Sequence, residues 1–187
     1  MQALGYKDVD LNAGCPWPFV AKKGRGSGLL KDESILAQML AVGCEVLGEG
    51  HFSIKVRLGL EDKTLLLDRL DTIQSFPLRE ICVHPRTAKQ MYEGTVDLDA
   101  FERVAERTTL PLVYNGDIRT LEDFQRLQTR FPKIERWMLG RGIVANPFLA
   151  ESICEGKDMR EMERFKAWHQ TILDGYTATS HGDHALL

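Results

Sequence analysis

The sequence is poor in the features that would place it quickly. No apolar run approaches the roughly 18 residues of a membrane-spanning helix. The opening Met1-Gln-Ala-Leu-Gly-Tyr6 has no basic stretch followed by an apolar one, so no secretory leader is read from it. Cysteine is scarce: Cys15, Cys44, Cys82 and Cys154 stand far apart, with no CxxC pair and no Cys/His cluster at zinc spacing. Disulfides and a metal site are therefore not expected, and a reducing, cytoplasmic setting is. Charge of neither sign dominates. A formal net charge of -3 leaves no global positive field to announce a nucleic-acid partner, although a local basic patch would be enough for one. Linkers of low complexity and fixed-period repeats are missing as well. What remains is a chain of 187 residues, 43% hydrophobic and 27% charged, which suits one ordinary soluble domain.

Short strands and helices alternate along it. Val9 and Leu11 alternate with Asp10 and Asn12 as a buried strand would, and Gly14 and Pro16 break that run. Residues 32–47 read as a helix, with Ile35, Leu36, Met39, Leu40, Val46 and Leu47 near helical period and Gly48 as its stop. Strands follow at 52–58, 81–84, 111–115 and 137–139. Between them lie helices at 64–76 (Leu66, Leu70 and Ile73 on one face), at 99–107 (Phe101, Val104, Ala105), and from Thr120 onward (Leu121, Phe124, Leu127). Thr120 and Asp123 have the spacing of a capping box. Asn146-Pro147 reads as an N-cap with a first-turn proline, opening a short helix to Ile153. A further amphipathic helix begins near Met159 and carries Met162, Phe165, Trp168, Ile172 and Tyr176, before a polar tail from Ser180. Strand, helix and strand again, at the spacing of one crossover each, predict an α/β fold with a parallel sheet.

The residues least suited to packing gather at one end of those strands. Asn12, Cys15, His84, Arg86, Asn115, Asp117 and Arg141 all fall at or just past a strand's C-terminal end, where parallel barrels build their sites. Lys55 is the exception, inside a strand, facing either that site or open solvent. Cys15 reads either as a reactive thiol or as a buried structural one. The run Lys22-Lys-Gly-Arg25, among Gly24, Gly26 and Gly28, reads as a flexible loop that is either a solvated surface or an anion-gripping lid. Asn115-Gly-Asp117 and Gly140-Arg-Gly142 end successive strands in the manner of a phosphate site, with Arg141 suited to bidentate pairing.

Five motifs occur in order between about residue 8 and residue 150: Leu-Asn-Ala-Gly-Cys-Pro, Ile-Lys-Val-Arg-Leu-Gly, Val-His-Pro-Arg-Thr with Gln90 and Tyr92, Tyr-Asn-Gly-Asp-Ile, and Met-Leu-Gly-Arg-Gly. Together they make the chain resemble the tRNA-dihydrouridine synthases, FMN-dependent TIM-barrel enzymes that reduce tRNA uridines with NADPH. The resemblance implies that Cys15 gives a proton to uracil C5 while hydride from the flavin goes to C6. It implies that Lys55, His84, Asn115, Gly116, Asp117, Gly140 and Arg141 hold FMN, and that Asn12 and Arg86 hold a flipped-out uracil. It also implies a partial TIM (β/α)8 barrel of about five βα units over 1–155, corresponding to strands four through eight. Residues 156–187 would be the beginning of a C-terminal helical tRNA-binding domain. Such a piece by itself is expected to bind FMN poorly. The other readings are an FMN barrel reducing a free pyrimidine, like dihydroorotate dehydrogenase, and an inactive remnant.

Overall fold

Five strands form one sheet in the order of the chain, all parallel: β1 (Val9–Ala13), β2 (Phe52–Gly59), β3 (Ile81–Thr87), β4 (Leu112–Asn115) and β5 (Arg136–Met138). The structure is a computed structural model, and it describes residues 5–179. The polar tail from Ser180 lies outside the described residues. Parallel neighbours need a crossover, and helices α2 (Glu33–Leu47), α3 (Leu65–Gln74), α4 (Leu98–Arg107) and α5 (Leu121–Arg130) supply one each. A short α1 (Pro18–Ala21) precedes them, and α6 (Arg141–Ala145), α7 (Leu149–Glu155) and α8 (Met162–Thr179) follow β5. The result is an α/β fold, a partial barrel wall. Among the described residues no helix is long and apolar enough to cross a membrane.

Alternation along each strand gives the sheet two unlike faces. Ile54, Val56, Ile81, Val83 and Tyr114 pack under the helices against Leu36, Leu40, Leu66, Leu70, Ile73, Phe101, Val104, Phe124 and Leu127. The opposite face takes the intervening residues. Register sets Asn12 beside Lys55 and Arg57 beside His84, so these polar side chains share that face. Lys55 thus points away from the helices.

Local chemistry explains most element ends. The Asp32 carboxylate accepts from Ile35 N at 3.0 Å to cap α2, and Gly48 closes it at φ +87°. Thr120 Oγ1 accepts from Asp123 N at 3.1 Å to cap α5, while Asp123 returns a bond to Arg119 N at 3.1 Å. β3 runs three residues beyond the expected 81–84, through Pro85. Pairing steps from Arg57 with His84 to Gly59 with Thr87, so β3 carries one extra residue there. Such a bulge tolerates a proline, which has no N–H to lose.

Three expectations need correcting. The glycine-rich stretch after the Lys22-Lys23 pair is not a flexible loop: Gly26–Lys31 is a 3₁₀ helix with Ser27, Gly28, Leu29 and Leu30 buried. A Cβ at Gly28 would overlap the Ala21 carbonyl oxygen, so this glycine serves close packing. Asn146-Pro147 does not itself open a helix; the short helix expected through Ile153 starts two residues later, as α7. Arg141–Ala145 is already helical, and Asn146 Oδ1 accepts from Phe148 N at 3.1 Å in a turn before α7. The apolar residues of α2 divide between two faces: Leu36 and Leu40 are buried, whereas Ile35 and Met39 are 48% and 42% exposed. The expected helix after Met159 is present as α8, with Met162, Phe165, Trp168 and Ile172 exposed along it.

Ser27 N donates to the Cys15 carbonyl at 3.0 Å, and Gly26 lies so close that a Cβ would stand 2.8 Å from Cys15 Cβ. The 3₁₀ turn therefore holds the Cys15 loop. Gly28→Ala is expected to lower stability in urea unfolding by about 1–3 kcal/mol and to speed alkylation of Cys15. An unchanged midpoint with unchanged thiol reactivity would mean that the turn does not hold the loop.

Candidate active site

A cavity of about 500 Å³ opens at the C-terminal ends of the strands, on the polar face of the sheet. That is the size of a small-molecule site. Asn12, Cys15, Lys55, His84, Asn115, Gly116, Asp117, Gly140 and Arg141 all line it. Five separate strand ends contribute, so sequence-distant residues meet in one place. Of the residues expected to hold cofactor or base, or to give the proton, Arg86 alone does not line the cavity.

Each side chain is held by its element. Asn12 Oδ1 accepts from Gly14 N at 3.1 Å, which turns the chain toward Cys15. Asn115 Nδ2 donates to Met138 O at 2.9 Å and ties the end of β4 to β5. Gly142 is a packing glycine: a Cβ there would overlap the Ile118 carbonyl oxygen, so α6 docks tightly on the loop after β4. Asp117 sits in that loop at φ +43°, a left-handed conformation uncommon outside glycine. Its carboxylate reaches Arg86 Nη2 at 2.5 Å and Arg141 Nη2 at 2.8 Å.

Arg86 is 1% exposed, and all five of its N–H donors have partners. Nε donates to Glu93 O at 3.2 Å and Nη2 to Gly94 O at 2.6 Å. Nη1 reaches Asp117 Oδ1 at 3.1 Å and His84 Nε2 at 3.2 Å, and Nη2 also serves Asp117 Oδ2. No donor is left for a substrate, so the uracil contact expected of Arg86 has no free group to make it.

The cavity is cation-rich. Lys55, Arg57, Arg119 and Arg141 line it against the single carboxylate of Asp117. Lys55 is half-buried and pairs with no side chain among the described residues; burial pulls its ammonium below the usual lysine range, and Arg57 beside it adds to the effect. Burial pushes the Asp117 carboxyl up, but the Arg86 hydrogen bond and the charges of Arg86, Arg141 and Arg119 outweigh it, so the group stays below the ordinary carboxylate range. His84 is pulled down to about 3, first by burial and then by Arg57, Lys55 and Arg86.

Two wall residues stand within the sequence motifs but were given no role there. Arg57, 1% exposed, donates to Thr87 O at 2.9 Å and Met91 O at 2.6 Å, and its Nε is buried without an acceptor. Tyr92 lies between guanidinium groups, its ring centre 5.2 Å from Arg57 Cζ and 4.9 Å from Arg141 Cζ. Strand period was the available signal for Arg57, which stands two residues past Lys55. Tyr92 comes from a turn, so no strand period placed it, and its place in the motif after His84 was its one mark.

The family model described as Dihydrouridine synthase (Dus) matches residues 1–182. The chain belongs to the dihydrouridine synthase family. It is 34% identical over 161 residues to a "tRNA-dihydrouridine(16) synthase" of Aquipseudomonas alcaligenes, covering 86% of this chain and 51% of that protein. It is 33% identical over 155 residues to a "Probable tRNA-dihydrouridine synthase" of Rickettsia conorii, covering 81% and 46%. The chain thus spans about half the length of the curated relatives it matches. Among solved structures it is similar to morphinone reductase in complex with tetrahydroNAD, with TM-score 0.60 and 18% identity over 86% of this chain and 46% of that one. That likeness speaks for the fold alone. The wall of this synthase-family cavity suits a flavin mononucleotide by its own chemistry. Excess positive charge meets a phosphate, and a partnerless lysine with an amide-bearing rim meets a polar ring.

His84 gives a pH signature. Its folded pKa of about 3 lies below the unfolded value of about 6.5. Between those values the unfolded chain binds a proton that the folded chain does not, so stability falls as pH is lowered from about 6.5 toward 3. The slope is at most about 1.4 kcal/mol per pH unit. Urea unfolding from pH 7 to pH 5 should show this loss, and His84→Gln should flatten the curve. Equal slopes in both proteins would mean that His84 is charged when folded.

Proposed function

We propose that the whole protein reduces uridine in tRNA to 5,6-dihydrouridine, with FMN as hydride carrier and NADPH as reductant. One observation carries this reading: a thiol, a partnerless lysine and an arginine-rich wall line a single cavity in a chain of this family. Lys55, His84, Asn115, Gly116, Asp117, Gly140 and Arg141 would hold the cofactor, and Asn12 the substrate base. FMN bound there would supply the hydride for uracil C6.

The chain's own residues do the rest. Cys15 Sγ holds a proton and delivers it to uracil C5. Lys55 brings a half-desolvated positive charge, which stabilises developing negative charge more strongly than a hydrated one does. Arg141, braced by Asp117, offers its fork to the phosphate. Arg57 and Tyr92 complete the wall beside Arg141. The base must leave its stack to enter, since C5 and C6 of a stacked uridine are beyond reach. The exposed Lys22, Lys23 and Arg25 lie just after the Cys15 loop and suit a phosphate backbone. Residues 1–155 are the flavin-binding unit in this reading, and 156–187, with α8, begin a helical tRNA-binding domain. The setting is the cytoplasm, where tRNA is modified.

Arg141→Ala should raise the Kd for FMN about 10- to 100-fold, the loss of a charge-assisted hydrogen bond pair, as read by quenching of flavin fluorescence. In the whole protein, Cys15→Ala should abolish dihydrouridine formation in tRNA while NADPH oxidation continues. Equal loss of both activities would make Cys15 structural. Turnover of free pyrimidines in preference to tRNA would move the protein to another class of flavin reductase.

A further inference from the structure

His84 and Arg86 are two residues apart on β3, and their contact restricts the imidazole to one chemical form. Arg86 Nη1 stands 3.2 Å from His84 Nε2. A guanidinium has donors and no acceptor, so Nε2 must present its lone pair to it. The one hydrogen of the neutral ring then sits on Nδ1. The doubly protonated ring has no lone pair for Arg86 and would add a cation beside others. Lys55 and Arg57 reach it from β2, and Arg86 from its own strand. Asp117, after β4, is the one carboxylate near, and both its oxygens are already bonded to Arg86, with Arg141 sharing one of them. Tyr92 stands 6.3 Å away, ring centre to ring centre.

Arg86 itself cannot turn to release the ring. Bonds to Glu93 O, Gly94 O and both Asp117 oxygens fix its plane, and the side chain is buried. On the other side of the imidazole, Nδ1 has no protein partner among the described residues, and His84 lines the cavity.

We infer that Arg86 is a positioning residue that holds His84 as the neutral tautomer protonated on Nδ1, so that the imidazole meets a ligand as a fixed hydrogen-bond donor. The acceptor it suits is a carbonyl or phosphate oxygen. In the reading proposed above, that oxygen belongs to the flavin nucleotide. Proton transfer is then left to Cys15, because His84 neither gives up nor takes a proton in the working range.

The tautomer can be read directly on the flavin-free chain, by long-range 1H–15N correlation with 15N-labelled histidine from pH 5 to pH 8. The expected result is a protonated Nδ1, a bare Nε2 and no titration. A hydrogen on Nε2, or imidazolium formation in this range, overturns the inference. In Arg86→Met the Nε2-protonated form should rise from undetectable to the majority, and Arg86→Lys, which can still donate, should partly restore the original form. An unchanged tautomer in a folded Arg86→Met protein shows that Arg86 is not the cause and overturns the inference as well. If the methionine variant does not fold, the wild-type spectrum and the lysine variant decide. FMN titration is scored separately. A locked tautomer in a whole protein that ignores FMN would sink the flavin reading and leave the lock standing.

Discussion

Side chains on a strand point to opposite faces in turn, and this constraint lies beneath everything else in the molecule. In parallel strands held in register, it sorts the chain's β residues into an apolar layer and a polar layer. Ile54, Val56, Ile81, Val83 and Tyr114 go under the helices, where burial stabilises the fold. Asn12, Lys55, Arg57 and His84 go to the other side. A shift of one residue in any strand would exchange the two sets. The site is therefore a by-product of the same alternation that builds the core.

Gathering cations on one face creates a problem that the structure solves with one carboxylate. Asp117 lies between Arg86 and Arg141, and its left-handed backbone places it there. Buried ion pairs contribute little net stability once desolvation is counted, so specificity of arrangement is the better account of this one. Removing either partner would leave an unmatched charge. The remaining cations, Lys55 above all, keep their field for a ligand. Close approach does the complementary work in the backbone: Gly28 and Gly142 let neighbouring segments touch where any side chain would hold them apart.

Much of this arrangement was legible from residue order. Leu66, Leu70 and Ile73 recur at helical spacing and are buried. Thr120 had the spacing of a cap, and it caps. Strand ends rich in Asn, Cys, His and Asp pointed to one rim, because all parallel strands deliver their C-terminal ends to the same edge. Less was legible where the deciding atoms came from elsewhere in the chain. Ile35 and Met39 have the right period for a buried face, yet no described element covers them. Asn146-Pro147 carried a helix-start signal, yet α7 begins only at Leu149, and Asn146 closes the turn before it.

Local order by itself determined the alternation of strands and helices, the helix caps and the set of polar residues at the rim, because each depends on neighbours within a few positions. Tertiary structure alone decided which of those polar groups face the cavity. Arg86 had every mark of a ligand contact until the carbonyls of Glu93 and Gly94, His84 and Asp117 claimed its five donors. Arg57 and Tyr92 joined the wall only once β3 and the turn after it had folded beside β2. Hydrogen-bond donors are finite and directional, and what a side chain has left for a ligand is known only after the fold has taken its share.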